Sequence, residues 1–296
     1  MNIAIIGTGY FAQKLAKQLN EFDKNNRYFF YNTSENRVDK IKFFLHLPWI
    51  DTVYSVTASI SGGGALKTAL FLNKKIVQHF IGSDVLTTIE DIKHNRVNQE
   101  LLEKSQFYCE IDWIQEELAA INIQAEIASI AVYEREVVPL KPKKFSVLTY
   151  MGKGKEEFYG ISDFIKLAEV FEDVEFKIAA VESYDKELPK NITLLGWADM
   201  DKELQNCTCY IRNVKHDGLA FSVLEALGYG RTVFYNYKFP HVHYFNGANE
   251  LIEKMAKVKE AFENGEWNVD YEAIEFVKKE YSKDDVLSNL VKILTT

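Results

Sequence analysis

Two doubly wound α/β domains in tandem are predicted for this chain. Three observations carry that reading: the length, an alternation of short apolar strands with helical stretches, and a restart of the alternation near residue 145. The chain has 296 residues, too many for one ordinary domain and comfortable for two. Hydrophobic residues make up 47% and charged residues 26%, so each half can bury a core and a disordered chain is excluded. Strand–helix alternation of this kind gives parallel sheets covered by helices on both faces.

Residues 3–6 (IAII) read as a buried strand, and Phe11, Leu15, Leu19 and Phe22 repeat at helical spacing over 11–22. Further strands are expected at 28–31, 53–56 and 76–78, with a helix over about 64–73. Between Pro139 and Lys144 both periodicities lapse and two prolines punctuate the chain, which sets the domain boundary at 140/141. The second series begins with a strand at 145–150 and a helix over 161–171, followed by strands at 176–180, 192–195 and 210–212. A helix over 219–230, a strand at 232–236 and an amphipathic helix over 284–296 complete it. That closing helix is available to pack back onto the N-terminal domain.

Lys and Arg number 35 against 43 Asp and Glu, a net charge of −8, and both halves are acidic. Neither offers the basic body that nonspecific nucleic-acid binding needs. No apolar run approaches a bilayer crossing, and the N-terminus lacks the signature of a signal peptide. Cys109, Cys207 and Cys209 form no even disulfide framework. A cytoplasmic protein is expected. Lys14 and Lys17 beside Phe11, Leu15 and Leu19 leave open a weak contact with the inner membrane face, against the plainer reading that this apolar side is core.

Gly7, Gly9 and Ala12 match the G-x-G-x-x-G/A pattern between a strand and a helix, the setting in which a backbone approaches a diphosphate. An NAD(P)-dependent oxidoreductase is one reading. The acid that should end the second strand is absent, since Asn32 and Thr33 stand there and Glu35 comes late. A tight turn that binds nothing is the other reading.

The stretch 191–236 is more informative. A strand at 210–212 runs into His216-Asp217-Gly218, and the amides of Gly218, Leu219 and Ala220 are expected to point out of the helix that follows, a ready anion site. Glu225 lies eight residues after Asp217, about two turns down that helix as read from sequence. Lys153 follows the strand at 145–150 and brings positive charge to the same strand ends. The plainer alternatives are a solvated acid at Glu225, a helix cap at Asp217 and a loop charge at Lys153.

These residues resemble the retaining nucleotide-sugar glycosyltransferases of the GT-B fold, family 4 in type. The motifs that carry the resemblance are MGKGK at 151–155, NITLLGW at 191–197 and DGLAFSVLEALGYGR at 217–231. KKIVQHFIGSDVL at 74–86 is similar to the strand and loop on the acceptor side of such enzymes. The resemblance implies two Rossmann-like domains facing across a cleft, with 1–140 on the acceptor side and 141–296 on the donor side. It implies that Asp217 lies near the transferred sugar, that Glu225 receives the ribose hydroxyls and that Lys153 holds the donor diphosphate. Gly218, Leu219 and Ala220 would cradle the phosphates, Gly7 and Gly9 would approach the donor, and Trp197 or its neighbour Ala198 would lie near the base. Gly82, Ser83 and Asp84 would face the acceptor. Two departures stand out: position 217 is Asp where the family more often has Glu, and Tyr159 replaces a second basic residue, for which Lys155 is the nearest substitute.

The implied activity is sugar transfer from a UDP- or GDP-linked donor to a glycan or lipid-linked acceptor, with retention. No metal or other cofactor is expected, as no Asp-x-Asp run or His/Cys cluster of ligand spacing occurs. Two alternatives stay open, the oxidoreductase above and a nonenzymic nucleotide-sugar binder.

Overall fold

A computed structural model describes residues 1–7 and 9–296. It forms two compact units. The first comprises Met1–Val132, Asp217–Leu219 and Tyr281–Thr296; the second comprises Tyr133–His216 and Ala220–Glu280. The first unit thus ends ahead of the proline-punctuated stretch, and the closing helix belongs to it.

The first unit holds a parallel six-stranded sheet of β1 (Asn2–Gly7), β2 (Arg27–Tyr31), β3 (Thr52–Val56), β4 (Lys75–Phe80), β5 (Ser105–Cys109) and β6 (Glu126–Ile127). Its order is β2-β1-β3-β4-β5-β6. The helices are α1 (Gly9–Phe22), α2 (Arg37–His46), α3 (Gly64–Phe71), α4 (Asp84–Lys93), α5 (Gln99–Lys104) and α6 (Asp112–Ala120). Every residue of β3 is buried, as expected for a strand covered on both faces. Helix α1 buries Ala12, Leu15, Ala16 and Leu19 at three- and four-residue spacing, which assigns its apolar side to the core and removes it as a membrane face.

The second unit holds β7 (Ser146–Tyr150), β8 (Glu175–Ala179), β9 (Ile192–Gly196), β10 (Cys209–Arg212), β11 (Thr232–Tyr235) and β12 (Val242–Tyr244), all parallel, in the order β12-β11-β10-β7-β8-β9. Helices α7 (Ile161–Val170), α8 (Met200–Asn206), α9 (Phe221–Gly228), α10 (Ala248–Glu263) and α11 (Tyr271–Glu280) accompany it. Sequential strands that step outward from β7 and then restart at β10 create a topological switch point between those two, where ligands bind in open α/β sheets. Arg231, fully buried, donates to the carbonyls of Tyr229, Cys207 and Leu140 at 2.8, 3.1 and 2.9 Å, so its charge is shared among backbone dipoles.

Helix α12 (Lys283–Thr295) starts at Ser282, whose hydroxyl accepts from the Asp285 amide. Its last carbonyls are met from the first sheet: Lys75 Nζ donates to Ile293 at 2.7 Å and Thr52 Oγ1 to Leu294 at 3.1 Å. Among the described residues, no helix is long and apolar enough to cross a membrane.

Burial sets up a polar cluster where β4 and β5 end. His79 and Glu110 are buried, with Nε2 and Oε1 3.4 Å apart, and the Tyr54 hydroxyl lies 2.7 Å from His79 Nδ1. Burial pushes Glu110 up to about 8, opposed by bonds from Ile130 and Ser129, and pushes His79 down to about 3. Folded Glu110 keeps its proton to about pH 8 while the unfolded chain loses it near 4.5, so the unfolded state binds fewer protons and stability falls as pH rises through that window. For His79 the unfolded state binds more protons below its ordinary value of 6.5, and stability falls as pH drops from there. Above pH 6.5 the His79 contribution fades while the Glu110 slope continues to about pH 8. We expect a melting temperature that declines over that interval and a Glu110→Gln variant in which the decline flattens. An unchanged slope in that variant would place the titration elsewhere.

Candidate functional site

The strand order of the second unit places the connections after β7 and β10 side by side. Phe158 accepts the Lys215 amide at 3.0 Å, and Asn213 Nδ2 donates to Asp163 at 3.0 Å. Gly160, at φ +68°, backs so closely on Asn213 that a Cβ would lie 2.4 Å from Nδ2. The two connections therefore form one braced rim.

On this rim Lys153 and Lys155 are exposed. Lys153 Nζ lies 3.7 Å from Glu182, which follows β8, so it leans away from β10. Tyr159, which departs from the motif, lies under the Arg212 guanidinium at 4.9 Å from the ring centre. Arg212, at the end of β10, returns a positive charge to the position where the motif loses one. Trp197 directly follows β9 and is 88% exposed, the largest fractional exposure of any big apolar side chain among the described residues.

The connection after β10 differs from the sequence expectation. Helix α9 begins at Phe221 with Ala220 as cap, not at Leu219. Residues 217–219 form a separate turn grouped with the first unit. The Asp217 carbonyl accepts from Trp113 Nε1 at 2.9 Å. A Cβ on Gly218 would meet the Ile81 carbonyl oxygen at 2.0 Å. Gly218 is thus bare because backbone packs on it, and Gly218 and Leu219 are not first-turn amides of the helix. Leu219 and Ala220 are buried. Glu225 sits one turn into α9, not two.

Glu225 is held by a residue that sequence reasoning missed. Arg135 Nη2 donates to Glu225 Oε1 at 2.7 Å, and its Nη1 donates to Asp201 Oδ1, which also accepts from the Tyr229 hydroxyl at 3.0 Å. Burial opposes the Arg135 charge, yet the carboxylates of Glu225 and Asp201 outweigh it and hold its pKa above the ordinary value. Beside it Tyr133 is pushed up to about 12, chiefly by burial. Arg135 lies in a stretch without periodicity or motif, and no local pattern marks it.

In the first unit, Gly7 takes φ +123°, and a Cβ there would stand 1.7 Å from the Val56 carbonyl oxygen. Thr8 lies outside the described residues. Gly9 opens α1 with Asn32 Nδ2 3.4 Å from where its Cβ would be. Asn32 therefore stands beside the loop where a dinucleotide site would set its acid, and Glu35 is bound to Asn32 Nδ2 at 3.2 Å. Asp84, expected on the acceptor side, is buried and turned into its own loop. Its carboxylate accepts from the amides of Ala58, Ile81 and Gly82 at 3.0, 3.1 and 2.9 Å. Burial raises its pKa against those amides. Gly82, at φ +143°, is bare because the Gly218 backbone would lie 2.9 Å from a Cβ. Asp84 and Gly82 thus hold their own loop in shape, and Ser83 alone of the three is exposed, at the start of α4.

Two parallel sheets of this order in one chain define the GT-B class of fold. No protein-family model matches the chain, and no curated protein resembles it in sequence. Solved structures do. HepE of Anabaena, in complex with UDP, superposes with a TM-score of 0.75 over 100% of both chains at 10% identity. Sucrose-phosphate synthase of Thermosynechococcus elongatus gives 0.71 over 99% of this chain and 98% of its own, at 11% identity. TarM of S. aureus, in complex with fondaparinux, α-GlcNAc-glycerol and UDP, gives 0.62 at 14% identity. The match covers 86% of this chain and 58% of TarM, so the chain spans little more than half of that protein. At these identities the likeness establishes the shared fold.

Proposed function

We propose that the chain is a glycosyltransferase of family 4 type, moving a sugar from a UDP-linked donor to a glycan or lipid-linked acceptor with retention of configuration. One observation carries the reading: the switch point of the second sheet is flanked by the connection bearing Lys153 and Lys155 and by the connection that leads into the helix of Glu225. The HepE and TarM structures, both with UDP, support the choice of donor. Negative charge develops on the departing diphosphate, and Lys153, Lys155, Arg212 and the α9 N-terminus are the groups that would meet it. Such fixed charges and dipoles supply the stabilisation without a metal or other cofactor. Asp217 would steady the transferring sugar and Glu225 the ribose, for which it exchanges Arg135 as its partner. Asn32 beside Gly9, together with a first-sheet order unlike the dinucleotide one, weighs against the oxidoreductase reading.

UDP at a hundred times its Kd should stabilise the folded chain by about 2.7 kcal/mol. We expect the melting temperature to rise with UDP more than with GDP or ADP. UDP-sugar should turn over slowly to free sugar in EDTA, the anomer retained by NMR. A response to NAD(P)H and to no nucleoside diphosphate would overturn the reading. Donor binding without any turnover would leave a nonenzymic binder, and an absolute divalent-ion requirement would remove the metal-free scheme.

A further inference from the structure

The first unit exposes an apolar surface that its own fold does not use. At about 100° per residue, Val38, Ile41 and Leu45 form a stripe on α2 opposite Phe43, the residue that anchors the helix in the core. These three are 58%, 60% and 64% exposed, and Trp49, just beyond the helix, is 68% exposed. Helix α3 shares that core and ends in Phe71, which is 82% exposed. Lys74 Nζ donates to the Pro48 carbonyl at 3.0 Å, which draws the end of α3 toward Trp49.

The charge around this surface runs against that of the chain. Residues 37–74 carry Arg37, Lys40, Lys42, Lys67 and Lys74 against Asp39 and Asp51, in a protein of net charge −8. Asp39 accepts the Asn32 amide at 3.2 Å and Asp51 the Asn2 amide at 2.7 Å, and the five cations outnumber these two acids. Arg37, Lys40, Lys42 and Lys67 are exposed, and on α2 the first and third of them flank the apolar stripe. We infer that this surface docks the first unit on an anionic lipid bilayer. The aliphatic side chains and the Trp49 indole enter the headgroup boundary while the flanking cations meet lipid phosphates. A second copy is disfavoured as the occupant, because a two-fold contact through this patch would bring like charges together. The inference is independent of sugar transfer and is tested without it.

The test is co-sedimentation of the full chain with vesicles at low salt. One set is phosphatidylcholine alone and the other has an equal part of phosphatidylglycerol. The wild type should bind the anionic set and bind the neutral set at least about tenfold more weakly. Each cation near an anionic surface strengthens binding by about fivefold, so Lys42→Glu with Lys67→Glu should lower anionic binding by about 25-fold or more. A triple Ile41→Ser, Leu45→Ser, Trp49→Ser variant should lose at least about tenfold through its apolar area. If the triple variant fails to fold, the charge pair decides alone. Brominated lipid should quench tryptophan fluorescence in the wild type and no longer do so in Trp49→Phe. No binding of the wild type to anionic vesicles overturns the inference, as does unchanged binding of both variants. Self-association that the triple variant abolishes, with no vesicle binding, would assign the patch to a second copy instead.

Discussion

Glu225→Gln is expected to lower transfer from a UDP-linked sugar by about two orders of magnitude while the protein stays folded. A hydrogen bond to a charged group contributes about 1.5–3 kcal/mol, or about 10- to 150-fold in rate when it is made to the reacting complex. The stability side is small. Glutamine keeps the shape of the side chain and a carbonyl that can still accept from Arg135, and Arg135 retains Asp201. Both partners are about a third exposed, so solvent already screens the pair. Asp217→Asn belongs in the same experiment, because the atom by which residue 217 holds the chain is its carbonyl, which accepts from Trp113 and survives the substitution. Its loss should fall on kcat, if the carboxylate acts on the sugar, and that of Glu225 on donor KM as well. Steady-state kinetics beside a melting curve separates these outcomes. Full activity in both variants at unchanged donor affinity would sink the assignment.

The fold was legible where burial is complete and obscure where it is partial. Strands β1, β3, β4, β7 and β10 lie inside their sheets and read as apolar runs. Strand β5 (SQFYC) alternates in burial and begins with polar residues, β6 is two residues long and β12 three, and none of them rises above its surroundings in sequence. The helix after β10 starts later than its sequence predicts for a tertiary reason: DGL at 217–219 runs directly toward the helix, yet Trp113 and the Ile81 carbonyl hold it out of the helical course. The spacing of Asp217 and Glu225 was readable because both lie on one connection. The Arg135–Glu225 pair spans ninety positions and follows from the folded chain alone. Asp84 shows the converse, a polar residue after a glycine that looks functional and is consumed by its own loop.

The glycine loop can be resolved by a pair of substitutions whose effects should diverge. Gly7 pairs with Val56 in the parallel ladder between β1 and β3, so the oxygen that a Cβ would strike at 1.7 Å belongs to a buried strand backbone that cannot swing aside. The positive φ adds strain that an L side chain rarely tolerates. Gly7→Ala should therefore cost about 3–5 kcal/mol, a fall of about 10 °C or more in melting temperature, whether or not the loop meets a ligand. Gly9 is different. The nearest atom to its missing Cβ is the end of a side chain at ordinary contact distance, and alanine in a helix is favoured over glycine by up to about 1 kcal/mol. Gly9→Ala should leave the melting temperature unchanged or raised. If its bare backbone serves the donor, transfer should nevertheless fall about tenfold, since a misplaced reacting group costs rate without costing fold. A Gly9→Ala variant as active in transfer as the wild type would reduce the whole loop to a strand–helix turn, with Gly7 retained for the sheet alone.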